Sequence, residues 1–271
     1  MEKVGLLAGI GNLPVAFMRA AQQSGHAVVV IAVVPDVAPE LAKEADVYYE
    51  INVAKLNKII KTLRSHDVDK VTMIGKVTKE ILFKGLKMPD MRALKLLGRL
   101  RNRKDDTIML AIVDELARDG IEVVDQTQYL KPLMPCAGVL SKRPPTEEES
   151  DDIRFGFVTA KAMGGMDIGQ TVVVKHKAVM AVEAIEGTDA CILRGGALGR
   201  GHAVVVKVAK PNQDLRFDVP AVGMTTLRSM IESGCTVLAI EAGRTLFVEQ
   251  EQVLAEADRR GICICAVDKT Y

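Results

Sequence analysis

Short apolar runs alternating with amphipathic stretches dominate the first 133 residues, and that alternation constrains the fold most. KVGLLAG, HAVVVIAV, ADVYYEIN, DKVTMIGKV and GIEVVD have the length and β-branched content of strands. Between them, VAKLNKIIKTLRSH and DDTIMLAIVDELARDG repeat apolar residues at helical spacing; in the second these fall at 108, 109, 112, 113 and 116. Strands so continuously apolar need cover on both faces, which βα crossovers supply. Residues 1–133 are therefore expected to form a parallel sheet flanked by helices, with any ligand at the carboxyl ends of its strands.

The rhythm then changes. Residues 134–150, MPCAGVLSKRPPTEEES, carry three prolines and have the composition of a linker, although TEEE can also open a helix. Beyond them GQTVVVKHK and AVMAVEAIEG form two strand-like runs joined by a short connection, an antiparallel signature. HAVVVKVAK, TTLRSMIESG, CTVLAIEAG, EQEQVLAEADRRG and ICICAVD continue as strands and helices. Residues 151–271 thus read as a second, mixed α/β domain, and the one most expected to carry the chemistry.

Lys plus Arg number 36 against 35 for Asp plus Glu, so no overall charge favours nucleic acid. No signal-like leader and no run of about 18 apolar residues is found, which points to a cytoplasmic protein. Five cysteines fit that compartment as reduced thiols, and none has zinc-ligand spacing with the four histidines.

The opening VGLLAGIGNLP begins like a dinucleotide-binding loop, with Gly9, Gly11 and Asn12 at the turn. Pro14 holds the place of the third glycine, and the second strand, HAVVVIAVVPD, has no clear acidic residue closing it. A plain structural turn and a phosphate-contacting one both remain open. Gly75 and Lys76, in MIGKV, occupy the equivalent strand-end position further on.

In the second half three strand ends are rich in glycine, hydroxyl and carboxylate groups. The first is Glu186-Gly187-Thr188-Asp189, where Thr188 or Asp189 is either a helix cap or part of a site. The second contains Asp218 in RFDVPAVG, followed by Thr225. A carboxylate in so apolar a segment needs a partner: a metal ion, Lys207, Lys210 or Arg216. The third is IEAGRT, with Gly243. Carboxylates without histidine or cysteine suit Mg²⁺ or Mn²⁺, and such ions suit phosphoryl chemistry.

Taken in order, LLAGIGNLP, MIGKVTK, RKDD, MDIGQTVVV, AVEAIEGTDA, DLRFDVPAVGMTT and IEAGRTLFV resemble the alternative (I-type) UDP-2,3-diacylglucosamine pyrophosphatases of lipid A biosynthesis. The resemblance spans nearly the whole chain. It implies a Rossmann-like N-terminal domain and a C-terminal catalytic domain. The implied activity is cation-dependent hydrolysis of UDP-2,3-diacylglucosamine to 2,3-diacylglucosamine 1-phosphate (lipid X) and UMP. The family's key acidic residue maps to Asp218, the expected metal ligand, with Glu186 and Asp189 as secondary catalytic groups. Expected substrate contacts are Gly9, Gly11, Asn12, Gly75, Lys76, Asp105, Asp106, Gln170, Gly187, Thr188, Thr225 and Gly243. Lys76 departs from the family pattern, being a cation where some relatives carry a neutral residue.

A lipid substrate also gives a reading to residues 84–104. On a helix, Ala93, Leu96, Leu97 and Leu100 share one face and Arg92, Lys95, Arg99 and Arg103 another. That basic face is either solvated or in peripheral contact with the cytoplasmic face of the inner membrane. Self-association is left open. The competing function is a non-catalytic nucleotide- or lipid-binding sensor; an NAD-linked oxidoreductase rests on the opening loop alone.

Overall fold

The computed structural model describes residues 2–77, 89–100 and 105–271, apart from the side chains of Asp105 and Asp106. Two compact units emerge, one of Met1–Leu130 with Leu215–Phe217 and the other of Lys131–Asp214 with Asp218–Tyr271.

In the first unit β1 (Lys3–Ala8), β2 (Ala27–Ala32), β3 (Val47–Glu50), β4 (Lys70–Ile74) and β5 (Glu122–Val123) form one sheet in the order β3-β2-β1-β4-β5. Every pairing in it is parallel. Helices α1 (Leu13–Gln23), α2 (Glu40–Glu44), α3 (Leu56–Ser65), α4 (Met91–Arg99), α5 (Asp105–Ala117) and α6 (Thr127–Leu130) accompany it. Leu7, Ile31, Ile59, Leu63, Val71 and Leu116 lie in one buried cluster, so α3 and α5 cover the apolar strands as expected. Pro14 sits in the first turn of α1, where its missing N–H costs nothing.

Helix α4 refines the reading of residues 84–104. Ala93 and Leu96 are buried, and Leu97 and Leu100 pack on the same core. Arg92, expected on a basic face with its neighbours, instead pairs with Glu115 (2.5 Å) and with Asp119 of the segment after α5. Residues 84–88 and Arg103 lie outside the described residues.

In the second unit the main sheet runs β6-β13-β11-β9-β7-β8. Its strands are β6 (Gly138–Val139), β7 (Thr171–Lys175), β8 (Ala178–Val182), β9 (Val204–Lys207), β11 (Val237–Glu241) and β13 (Cys263–Val267). Strands β9, β11 and β13 are parallel, while β7 runs antiparallel to both β9 and β8, and β6 antiparallel to β13. Short strands β10 (Ala221–Val222) and β12 (Leu246–Phe247) pair separately. Helix α7 (Glu147–Gly165) covers one face, packing Ile153 and Ala160 on Val204, Val206 and Ala239. Helices α8 (Thr188–Gly199), α9 (Met224–Ser233) and α10 (Gln250–Arg260) cover the other, where Ile192, Leu227 and Ala257 meet Val205 and Leu238.

The segment with linker composition is built into this unit. Gly138 and Val139 pair with Ala266 and Cys265, and Ser141 bonds to Ile264 in both directions. A two-residue strand is too short to show periodicity. The TEEE reading of a helix start does hold: Thr146 and Glu149 form a reciprocal capping box at the head of α7. The β7–β8 turn is made by His176 and Lys177, both at positive φ. Buried Asp152 of α7 fixes it by accepting from both amides, at 2.9 and 2.6 Å.

Candidate functional site

The carboxyl edge of the first sheet is closed between its two central strands. The amide of Gly9 donates to the Ile74 carbonyl (2.8 Å), and Ile10 and Lys76 exchange two backbone bonds (3.0 and 2.8 Å). A Cβ on either Gly9 or Gly75 would lie 2.7 Å from the other's carbonyl carbon, so both must be glycine for the two loops to touch. Gly75 also has φ +102, a conformation few other residues adopt. The amides of Gly9 and Ile10 are thus spent inside the protein rather than offered to a phosphate. Gly11 and Asn12 are exposed at the head of α1, and Lys76 is exposed beyond the bridge. Asp105 and Asp106 open α5 by their backbone, and their side chains lie outside the described residues. Two openings in this unit lie elsewhere: a cleft of about 590 Å³ at the ends of β2 and β3, lined by Asp36, Lys43, Tyr48 and Glu50, and one of about 460 Å³ against α4, lined by Arg92, Lys95 and Glu115.

The carboxyl edge of the second sheet is different, because charge is buried there. Lys207 closes β9 on the same side of the strand as Val205, facing α8 and α9, and is only 6% exposed. Its ammonium donates to Thr188 Oγ1 (3.1 Å) and to the Ala221 carbonyl (2.8 Å). Burial pushes its pKa below the ordinary lysine value, while the charges of Glu183, Asp189 and Asp218 push it back up. Thr188 in turn donates to Glu183 Oε1 (3.0 Å), and Asp189 accepts from Ser229 of α9 (3.4 Å). Glu183 is placed by backbone contacts: its amide donates to the Thr171 carbonyl, and a Cβ on Gly169 would fall 2.1 Å from its carbonyl oxygen.

On the opposite face of the sheet, Glu241 closes β11 and is held by Lys161 of α7, at 2.9 Å to each carboxylate oxygen. The same carboxylate accepts from the Ala209 amide (2.8 Å), which fixes the start of the loop leading to Asp218.

Of the residues expected from sequence, Thr188 touches Lys207, and Asp189 and Asp218 lie near enough for their charges to act on it. Gly187 is the N-cap of α8 and Thr188 its first helical residue, so neither hydroxyl nor carboxylate caps this helix as considered from sequence. Glu186 is drawn elsewhere. It is exposed, paired with Arg194, and accepts from the Ala184 amide (3.2 Å). Arg194 lowers its pKa. Thr225 is exposed in the first turn of α9. Gln170 bonds through its side chain to Gln213 (3.3 Å), and Gly243 turns the chain after β11, donating to the Pro135 carbonyl. Sequence reasoning missed Glu183 and Glu241 as buried charges and named Lys207 only as one of several partners for Asp218. A charged residue ending an apolar strand, as in VVVK and VLAIE, was the available signal.

Residues 3–133 match the family model described as LpxI N-terminal domain, and residues 136–265 match the LpxI C-terminal domain. The chain belongs to the LpxI family. It is 34% identical to the UDP-2,3-diacylglucosamine pyrophosphatase LpxI of Caulobacter vibrioides, over 99% of this chain and 98% of that one. The C-terminal match of the LpxI family contains the whole Lys207 cluster. Solved structures give only partial superpositions. Glycinamide-RNase-transformylase T from Mycobacterium tuberculosis is 12% identical, covering 51% of this chain and 38% of that one, with a TM-score of 0.27. Phosphoribosylglycinamide synthetase from Anaerococcus prevotii is 10% identical, covering 68% and 39%, with a TM-score of 0.27. Likeness at that level defines neither fold nor activity.

Proposed function

We propose that this chain hydrolyses the pyrophosphate bond of UDP-2,3-diacylglucosamine, releasing UMP and lipid X, with Mg²⁺ or Mn²⁺ as cofactor. The observation that carries the reading is the cluster of Lys207, Thr188, Glu183, Asp189 and Asp218 at one sheet edge, in a chain related along its length to a pyrophosphatase of that name. The carboxylates of Glu183, Asp189 and Asp218 all act on the single ammonium of Lys207, an acidic surrounding that favours a divalent cation. No three His, Cys, Asp or Glu side chains converge as a ready metal cage among the described residues. That donor set suits Mg²⁺, which takes one or two carboxylates and fills its shell with water and phosphate oxygens. Asp218 is the residue we assign to hold it. The bound ion would supply charge neutralisation at the phosphoryl group.

The chain's own residues do the rest. Lys207 presents a fixed positive charge in a poorly solvated place, where it acts strongly on phosphoryl oxygens. The heads of α8 and α9, at Gly187-Thr188 and Gly223-Thr225, carry amides without side-chain caps that suit an anionic group. In the first unit α4 exposes Met91 and Leu94 beside Lys95 and Arg99, a composition for peripheral membrane contact. No helix among the described residues is long and apolar enough to cross a membrane.

The test is product release by the pure protein with either metal. Stoichiometric UMP and lipid X are expected. Intact substrate that stays bound and unhydrolysed with both metals would replace the reading by the sensor alternative.

A further inference from the structure

Four charged side chains are buried among the described residues: Asp152, Glu183, Lys207 and Glu241. Three have visible employment. Asp152 receives two turn amides, Glu241 receives Lys161 and an amide, and Lys207 donates to Thr188 and Ala221. Glu183 alone keeps an unmet atom: its Oε2 is buried and has no hydrogen-bond partner, in a residue only 8% exposed. Leaving a carboxylate oxygen so placed is costly unless something else donates to it.

We infer that Glu183 is the catalytic base, with Oε2 accepting from the attacking water. The inference rests on the hydrolysis proposed above. The carboxylate is held for that task at its other oxygen, where Thr188 donates to Oε1 while itself accepting from Lys207. The threonine and lysine thus fix the carboxylate's orientation without occupying the reactive oxygen. The backbone is set as tightly, with Gly169 lying against the Glu183 carbonyl. In the step, the water oxygen bonds to phosphorus as the bond from that phosphorus to the bridging oxygen breaks. The bridging oxygen leaves with the other phosphoryl group. One water proton passes to Glu183 Oε2 and from there to solvent. Asp218 and the cation stabilise charge; Glu183 takes the proton.

Glu183→Gln tests this in the full chain. It keeps the size and an oxygen for Thr188 but cannot accept the proton. UMP release, substrate binding and thermal unfolding are measured together. Turnover should fall by about 10²–10⁴-fold, with KM and the unfolding midpoint close to the parent's. Glu183→Asp keeps the charge but draws the oxygens back, and should still lose roughly 10-fold or more, since small misplacements of a reacting group are expensive. Turnover within a few-fold of the parent in either variant would overturn the assignment. A parent that releases no UMP takes the substrate reading down, and this inference with it.

Discussion

The two units share a general plan, strands with helices on both faces, yet treat charge at their strand ends in opposite ways. In the first, the fully buried polar side chains among the described residues are neutral, Thr72 and Gln126, and the central loops are laced to each other. In the second, all four buried charges occur, and three of them stand where β8, β9 and β11 end, Glu241 on the opposite face from Lys207. Burying an ionised group costs several kcal/mol unless it is paired. A fold accepts that expense where the charge has a task. The first unit is therefore read as architecture and the second as chemistry.

Beside Glu183→Gln, the large effect should come from Asp218→Ala, which challenges the chemical side of the contrast. Loss of one preorganised electrostatic group is expected to cost on the order of 10²-fold or more in turnover. The variant should fold normally and co-purify with intact substrate. Turnover within a few-fold of the parent would make Asp218 a structural carboxylate.

Next is Gly9→Ala, aimed at the other side. Its methyl would press on the Gly75 backbone, where no side chain can swing away. A loss of about 1–3 kcal/mol in stability is expected, typical of overpacking, with turnover of the folded fraction nearly unchanged. If turnover collapses while the unfolding midpoint holds, the glycine loop contacts substrate and the contrast between units breaks.

Glu149 sharpens the comparison within the second unit. Desolvation pushes its pKa up, but Arg143, the Thr146 amide and Thr236 outweigh this and hold it below the ordinary 4.5. A depressed carboxylate stabilises the fold above its unfolded pKa, and that stability is lost as pH falls through the lower folded value. The unfolding midpoint should therefore fall as pH drops below the ordinary carboxylate value and through the lower folded one. In Glu149→Gln that part of the pH dependence should flatten. An unaltered acid profile in the variant would remove Glu149 as the anchor of α7.

Glu186→Ala should do least. Its carboxylate is exposed and occupied by Arg194, so turnover should stay within a few-fold. A large loss in kcat would return Glu186 to the catalytic group.

Most strands were legible because β-branched runs of four to six residues announce themselves, as in AVVVIA and TVVVK. The capping box of α7 was legible for the same local reason. Residues 138–139 were not, since a two-residue strand exists only through its partner β13. The site was half legible. Asp218, Thr188 and Asp189 sit in loops whose composition marks them, and Lys207 ends an apolar run. Glu183 could not be picked from Glu186 three residues on. What separates them is the register of β7 against β9 and β8, which puts Thr171 beside Lys207 and one carboxylate inside. Lys161 and Glu241 are joined across 80 positions of sequence, a distance no local pattern reports.

The lacing of Gly9 to Gly75 also joins chain segments that are far apart in sequence. The bridge between Ile10 and Lys76 requires β4 to be seated beside β1, which closes a loop that contains β2 and β3. Closing a loop of that length costs entropy before any contact repays it. The amides of Gly9, Ile10 and Lys76 should consequently exchange with solvent through one shared opening event, a single latch made from residues far apart in the chain.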